Sequence, residues 1–233
     1  MKVCFFADVH GNDLSFERFS TALKLTNDVS EVFFLGDFIG YYYNPNDIIT
    51  HCRLNHFQCI LGNHDQTFLN IIDGKVKVEK MVEKYGHSYL KAIKTISVEN
   101  IDFLRQLPKY KIVHLENKRL LLCHGSPEDY LNGRIYPDTD LSGYMDLVKK
   151  YDYIVTGHTH HKLAKPLGTL LFLNPGSLGQ QRDGLGCSYL ILDLTKNSHN
   201  FHTVKYDITA LEKRIDRYDD GWVRLKEVLR RIR

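Results

Sequence analysis

Asp8-Val9-His10, Asp37, Asn63-His64-Asp65, His124 and His158-Thr159-His160 are carboxylate, amide and imidazole groups, and each set closes a short apolar run. No cysteine belongs to the series. That disfavours a structural zinc cage and suits Mn, Fe, Zn, Ni or Co. Asp8, His10, Asp37, Asn63, His124, His158 and His160 make seven candidate ligands, more than one catalytic ion with open positions can use. Two divalent ions sharing a bridging carboxylate account for the number. Such a pair, about 3.5–4 Å apart, generates a hydroxide nucleophile and clamps both oxygens of an in-line displacement at phosphorus. The residue types point to dinuclear hydrolytic chemistry.

Elements must bring these groups together. The runs that precede them cover residues 3–7, 32–36, 57–62, 120–123 and 154–157. Their length and unbroken apolar character read as strands buried on both faces. Ligands at the ends of such strands converge on one rim of a sheet, where α/β proteins place their sites. Asp8 and His10 stand two apart, as do His158 and His160. On extended backbone both members of such a pair leave the same face. Gly36, Gly62, Gly125 and Gly157 flank the ligands and permit a crowded turn.

Between the strands the pattern turns helical. Asn12 is placed to cap a helix with Phe16, Phe19 and Leu23 on one face. Asn44-Pro45 opens a second helix, running to about Asn55. The β-α-β-α-β opening predicts parallel strands with right-handed crossovers. Residues from about 66 to 107 read as a helical insertion, punctuated by Gly74 and Gly86, with a cap at Ser97 and a stop at Pro108. Coming directly after His64, this segment is placed to cover the rim as a lid. Further strands are predicted near 111–115, 119–123, 153–156, 170–173, 187–193 and 199–206, the last two as a hairpin. An irregular loop is expected over 126–143 and a helix over 141–150. A C-terminal amphipathic helix covers about 208–233, with Leu211, Ile215, Trp222, Leu225 and Leu229 near one stripe and Gly221 as a point of kinking or splitting. The whole reads as a single α/β domain over 1–233, with two stacked sheets and outer helices.

The length of 233 residues and 43% hydrophobic content suit one compact core. A formal net charge of +3 argues neither for nor against nucleic acid. The first apolar run is too short for a signal peptide, and no stretch approaches the ~20 apolar residues of a membrane helix. A soluble, cytoplasmic protein is therefore expected. The five cysteines lie mostly in strand-like runs and fit a reducing compartment better than a disulfide framework. His51, Cys52, His56 and Cys59 match no zinc-site spacing and are read as packing residues.

In their order, Asp8-Val9-His10-Gly11-Asn12, Gly36-Asp37, Gly62-Asn63-His64-Asp65, His124-Gly125 and Gly157-His158-Thr159-His160 resemble the motif series of the calcineurin-like metallophosphoesterases. The stretches 36–41, 124–127 and 174–184 are similar to the small prokaryotic branch that includes YfcE-type phosphodiesterases. The likeness runs to about residue 194. It implies a four-layer α-β-β-α sandwich of two mixed sheets flanked by helices. It implies two divalent metal ions, Mn foremost, and a bridging hydroxide attacking phosphodiesters in preference to monoesters. By motif, Asp8, His10 and His160 hold one ion, Asn63, His124 and His158 the other, and Asp37 bridges. His64 is then no ligand. It contacts the phosphoryl group and protonates the leaving alkoxide, a task suited to a side chain that titrates near neutrality. The implied substrate is a small-molecule or nucleotide phosphoester, with no membrane partner. The alternatives are a nuclease or nucleotide pyrophosphohydrolase on the same centre, and a non-catalytic protein-interaction scaffold. Oligomeric state is left open. Gln66 after Asp65, and Phe38-Ile39-Gly40 after Asp37, do not match the flanking arginines of the protein phosphatases, which argues against that activity.

Several residues carry two readings. Asn12 either caps its helix or touches substrate. Arg182 either clamps a phosphate oxygen or pairs with a local carboxylate such as Asp183. Asp65 either orients His64 or caps the helix after it. Tyr41, Tyr42 and Tyr43 either stack an aromatic group or pack the loop. Lys75, Lys77, Lys80, Lys84, Lys91 and Lys94 read as a solvated face that could draw in a polyanion. Asn174 reads as a turn residue. Ser177 is no nucleophile elbow, because Pro175 stands where that turn needs glycine.

Overall fold

The computed structural model describes residues 1–26 and 28–231. The first half runs β1 (Lys2–Phe6), α1 (Asp13–Lys24), β2 (Val29–Phe34), α2 (Pro45–Leu54) and β3 (Gln58–Cys59). Four helices follow: α3 (Asn63–Ile72), α4 (Val78–Tyr85), α5 (Ser88–Thr95) and α6 (Val98–Gln106). Then come β4 (Tyr110–Leu115), β5 (Lys118–Cys123), a 3-10 helix (Ser142–Leu147), β6 (Tyr153–Val155), β7 (Lys162–Leu167) and β8 (Leu170–Pro175). The chain closes with β9 (Ser188–Asp193), β10 (Ser198–Thr203), α7 (Ile208–Tyr218) and α8 (Val223–Leu229).

Two five-stranded mixed sheets result, in the orders β10-β9-β1-β2-β3 and β4-β5-β6-β8-β7. Strands β1, β2 and β3 are parallel, as are β5, β6 and β8, while β9, β10, β4 and β7 join antiparallel. Strand alternation divides the core. Val3, Phe5 and Ala7 face the second sheet and meet Leu120, Leu122, Val155 and Leu173, whereas Cys4 and Phe6 face the helices and meet Phe16, Phe19 and Phe34. Each fully buried Val, Leu or Phe among them stabilises the fold by about 1.5–3 kcal/mol. The second sheet's outer face carries Ile154, Leu163 and Phe172 under the 3-10 helix. These are the four expected layers, and the layer over the second sheet is thin.

Three local expectations change. The segment 141–150 forms a 3-10 helix over Ser142–Leu147 rather than an α-helix. Leu141, Tyr144 and Leu147 recur every third residue, the 3-10 period, and all pack on the second sheet. Strand β7 was not expected. It holds Lys162, Lys165 and Pro166, and it sits at a sheet edge, where proline is tolerated. The helical insertion starts at Asn63, so His64 lies in a first helical turn. The C-terminal helix splits into α7 and α8 around Gly221, whose φ is 85°, at the point expected from the sequence. Residues 232 and 233 of that expected helix lie outside the described residues.

Candidate metal centre

All seven expected ligands leave the C-terminal ends of parallel strands or the helix turn just beyond one. Asp8 and His10 follow β1, Asp37 follows β2, Asn63 opens α3 after β3, His124 follows β5, and His158 and His160 follow β6. Backbone bonds stitch the loops together: Asp8 N donates to Gly36 O and His10 N to Asp37 O, each at 3.0 Å. The pairing of Asp8 with His10 does not come from extended backbone. Asp8, His10, Asp37, His158 and His160 have φ of 55°, 51°, 68°, 64° and 60°. Left-handed residues, not strand alternation, turn these side chains inward. Each such non-glycine residue costs about 1–2 kcal/mol, and strain of this kind gathers where a site imposes it.

The donor atoms form three overlapping groups: Asp8 with His10 and His160; His10 with Asp37 and His64; Asp37 with His124 and His158. Asp37 thus belongs to both sides. His124 Nε2 lies 3.2 Å from Asp37 Oδ2 and 3.0 Å from Asn63 Oδ1. His160 Nε2 lies 3.4 Å from Asp8 Oδ1. Asp8, His10, Asp37, His124 and His160 are buried, whereas Asn63 and His158 are half-buried, so the second set opens towards solvent.

These residues fit divalent ions on a test independent of motif. The Nδ1 atoms of His10, His124 and His160 lie 2.8, 2.7 and 2.5 Å from the carbonyls of Ile39, Leu35 and Gln180. A carbonyl only accepts, so each Nδ1 carries hydrogen; Nε2 of the neutral His10 and His160 then offers a lone pair inward, and Nε2 of His124 does so once its second proton leaves, the arrangement of metal-bound imidazole. His10 Nε2 and His160 Nε2 are then two acceptors 3.0 Å apart. A shared cation resolves that contact, since about 3 Å is the spacing of adjacent ligands on an ion with bonds of about 2.1 Å. Among the described residues, His158 Nε2 is buried without a hydrogen-bond partner.

Charge states divide the set. Burial pushes His10 and His160 well down and His158 down to about 3, leaving them neutral. Burial also opposes the charge on Asp37, but His124, His64 and His10 outweigh it and hold its carboxyl well below the usual range. His124 goes the other way: burial disfavours its charge, yet Asp37 and Asp8 raise it to about 9. Burial raises Asp8.

Asp65 makes no hydrogen bond to the His64 ring. Its carboxylate accepts from Asp37 N at 2.8 Å, Ile39 N at 3.1 Å and Gly62 N at 3.2 Å. It therefore caps α3 and pins the Asp37 loop. Burial and the neighbouring Asp37 push its carboxyl up to about 7 against those three amides. Asp37 Oδ1 in turn accepts His64 N at 2.8 Å, at the N-terminus of α3 where a carboxylate is favoured.

A family model described as the calcineurin-like phosphoesterase superfamily domain matches residues 1–197. The chain belongs to the calcineurin-like phosphoesterase superfamily. The Methanocaldococcus jannaschii protein MJ0912 is 30% identical over 236 residues, covering 91% of each chain. The crystal structure of PH1004 from Pyrococcus horikoshii superposes with a TM-score of 0.85 at 19% identity, covering 99% of this chain and 98% of that one. A metallophosphoesterase from Sphaerobacter thermophilus gives 0.76 at 22% identity, with the same coverage. The phosphoesterase YfcE from E. coli shares the fold more distantly, at 0.51 and 22% identity, covering 88% of this chain and all of that one.

Around the centre of this calcineurin-like phosphoesterase, Asn12 is fully buried. Its Oδ1 accepts Ser15 N, and its Nδ2 donates to Gly179 O and Tyr206 Oη. It is a helix cap whose side-chain oxygen and nitrogen both have protein partners. Arg182 does not pair with Asp183. It donates to Tyr41 Oη at 2.8 Å and Gln180 Oε1 at 3.1 Å, and its charge adds to the burial that depresses His160 and His64. Tyr42 and Tyr43 are packing residues at 1% exposure, while Tyr41 lies edge-on to His10 at 4.7 Å and 5.3 Å from the His64 ring. Asn174 binds Gly157 O and Gly176 N, and Ser177 binds Asp8 O, so both hold the rim loops. Sequence reasoning missed Tyr85 and Tyr89. Their rings lie 4.7 and 6.1 Å from that of His64, and no spacing rule links them to residue 64.

Proposed function

We propose that this superfamily member is a dinuclear metal-dependent phosphoesterase acting on phosphodiesters in preference to monoesters. The observation that carries the reading is the set of inward Nε2 atoms, anchored from behind by carbonyls and completed by His158, whose Nε2 has no hydrogen-bond partner among the described residues. Asp8, His10 and His160 would hold one divalent ion, Asn63, His124 and His158 the second, and Asp37 both. When bound, the ions, Mn first among the candidates, supply a hydroxide nucleophile at neutral pH and charge neutralisation at phosphorus. The chain's own residues do the rest. His64 stands beside His10 and Asp37 but belongs to neither terminal ligand group. It donates a proton to the leaving oxygen. Arg182 adds positive charge beside His160 and favours an anionic phosphoryl group over a neutral one. The ring of Tyr41 lines the same side, which suits a nucleotide or aromatic ester.

The test is a panel of aryl and alkyl phosphodiesters, phosphomonoesters, dinucleotides and oligonucleotides, run on metal-free and Mn-loaded protein. Turnover should require metal and be fastest on a diester. His64→Ala should keep both ions by metal analysis and lose about 10²–10⁴ in kcat. Loss of metal in that variant would make His64 a ligand and remove its proposed role. Arg182→Ala should raise KM rather than lower kcat.

A further inference from the structure

An imidazole that hands over a proton through Nε2 must have its Nδ1 held. Among the described residues, the partner of His64 Nδ1 is the hydroxyl of Tyr89, at 2.9 Å, in a buried contact. The same hydroxyl lies 3.4 Å from the His64 carbonyl. The obvious local candidates are occupied or absent. Both oxygens of Asp65 are taken by backbone amides. Residue 40 is glycine, and a Cβ there would lie 3.0 Å from His64 Nδ1 and 2.3 Å from His10 Nδ1. That loop therefore has no room for an orienting side chain. The helical insertion supplies one instead, from the first turn of α5.

We infer that Tyr89 is the positioning residue of His64: its hydroxyl accepts the Nδ1–H, keeps Nε2 as the proton-exchanging nitrogen, and fixes the ring's tilt. This rests on the role of His64 proposed above. The step balances simply. The P–O bond to the leaving group breaks, and the departing oxygen takes the Nε2 proton of the imidazolium. The ring becomes neutral with its hydrogen still on Nδ1. That hydrogen is donated to Tyr89 Oη before and after, while the phenol proton stays on Tyr89, directed at the His64 carbonyl. Tyr89 neither gains nor loses a proton. Its ring is fully buried and lies 18° from parallel to the imidazole, and Tyr85 packs against the imidazole with ring centres 4.7 Å apart. Rotation of His64 would break the hydrogen bond and strike these rings.

The experiment compares wild type, Tyr89→Phe and His64→Ala, all loaded with Mn, on diesters whose leaving groups run from 4-nitrophenol through phenol to simple alcohols. A good leaving group needs little protonation and a poor one needs much. Tyr89→Phe keeps the ring and removes only the hydroxyl. Its kcat should fall about 10–100-fold for alkyl leaving groups and stay close to wild type for 4-nitrophenol. KM and bound Mn should not change. A loss that is equal across the series marks a merely structural role and overturns the inference, as does a profile identical to wild type. If His64→Ala is itself insensitive to the leaving group, the acid role of His64 falls. If His64→Ala is selective for poor leaving groups and Tyr89→Phe is not, only the role of Tyr89 falls.

Discussion

His124 and Asp37 show how a single pair can encode readiness for a cation. Without metal, burial would keep both neutral, yet at 3.2 Å they share a proton and hold each other charged: Asp37 well below the carboxylate range, His124 raised to about 9. An ion needs the His124 lone pair. At pH 7 that nitrogen carries a proton in the metal-free protein, so metal uptake must displace it. Because the folded pKa is raised, the competing proton is fully present below about 9, and metal affinity should weaken as pH falls through that range. Titration calorimetry with Mn in buffers of different ionisation enthalpy should therefore report proton release at pH 7. Affinity that does not change between pH 6 and 9 would contradict this account of the pair. The left-handed backbone of Asp8, His10, Asp37, His158 and His160 is the other residue-scale feature. Asp is among the non-glycine types that tolerate it best, through a short polar side chain that bonds locally.

Among the elements, α3 couples the centre to the helices. Its first turn presents Asn63 and His64, and its capping Asp65 reaches back to the loop after β2. Gly62 lets these two pieces touch. A Cβ there would stand 2.1 Å from Asp37 Oδ1 and 2.2 Å from Asp37 N, neither of which can retreat. Gly62→Ala should displace Asp37 and weaken metal binding by about 10–100-fold, with a far-ultraviolet spectrum like that of wild type; unchanged affinity would show that the loop has slack. At this scale the sequence was legible where one residue type or one period decides the matter. The apolar runs marked β1, β2, β3, β5 and β6, and the donors after them marked the rim, because burial on both faces and metal affinity each demand particular side chains. The 3-10 period of Leu141, Tyr144 and Leu147 and the edge strand β7 were hidden because tertiary contacts select them over local propensity. Tyr89 was hidden because it reaches His64 across two helix breaks, at Gly74 and Gly86, and only the packed fold closes that distance.

At the scale of the whole molecule, the two sheets carry the ligands, while the chain after the family match at residue 197 braces the insertion. Leu211, Ile215, Leu225 and Leu229 of α7 and α8 pack on Tyr42 and Tyr43, in the loop that leads from the Asp37 turn. Asp219, at 2% exposure, joins three parts of the chain. It accepts from Tyr43 Oη at 2.6 Å, His87 N at 2.8 Å and His87 Nδ1 at 2.7 Å. Gly86 leaves room for it, since a Cβ there would lie 2.5 Å from Asp219 Oδ1. The bond to His87 N fixes the chain just before α5, two residues ahead of Tyr89. Asp219→Ala would strand the buried Tyr43 hydroxyl at a cost of about 1–3 kcal/mol and release His87, at the junction between α4 and α5. Hydrogen exchange should quicken over residues 78–95 and remain slow in β1, β2 and β5. Bound Mn should be unchanged, because no ligand moves, while kcat on alkyl diesters should fall with the loss of Tyr89's fixed position. Faster exchange spread evenly over both sheets would mean that Asp219 stabilises the molecule at large. Unchanged exchange over 78–95 would mean that the insertion holds itself in place and the C-terminal helices do not brace it.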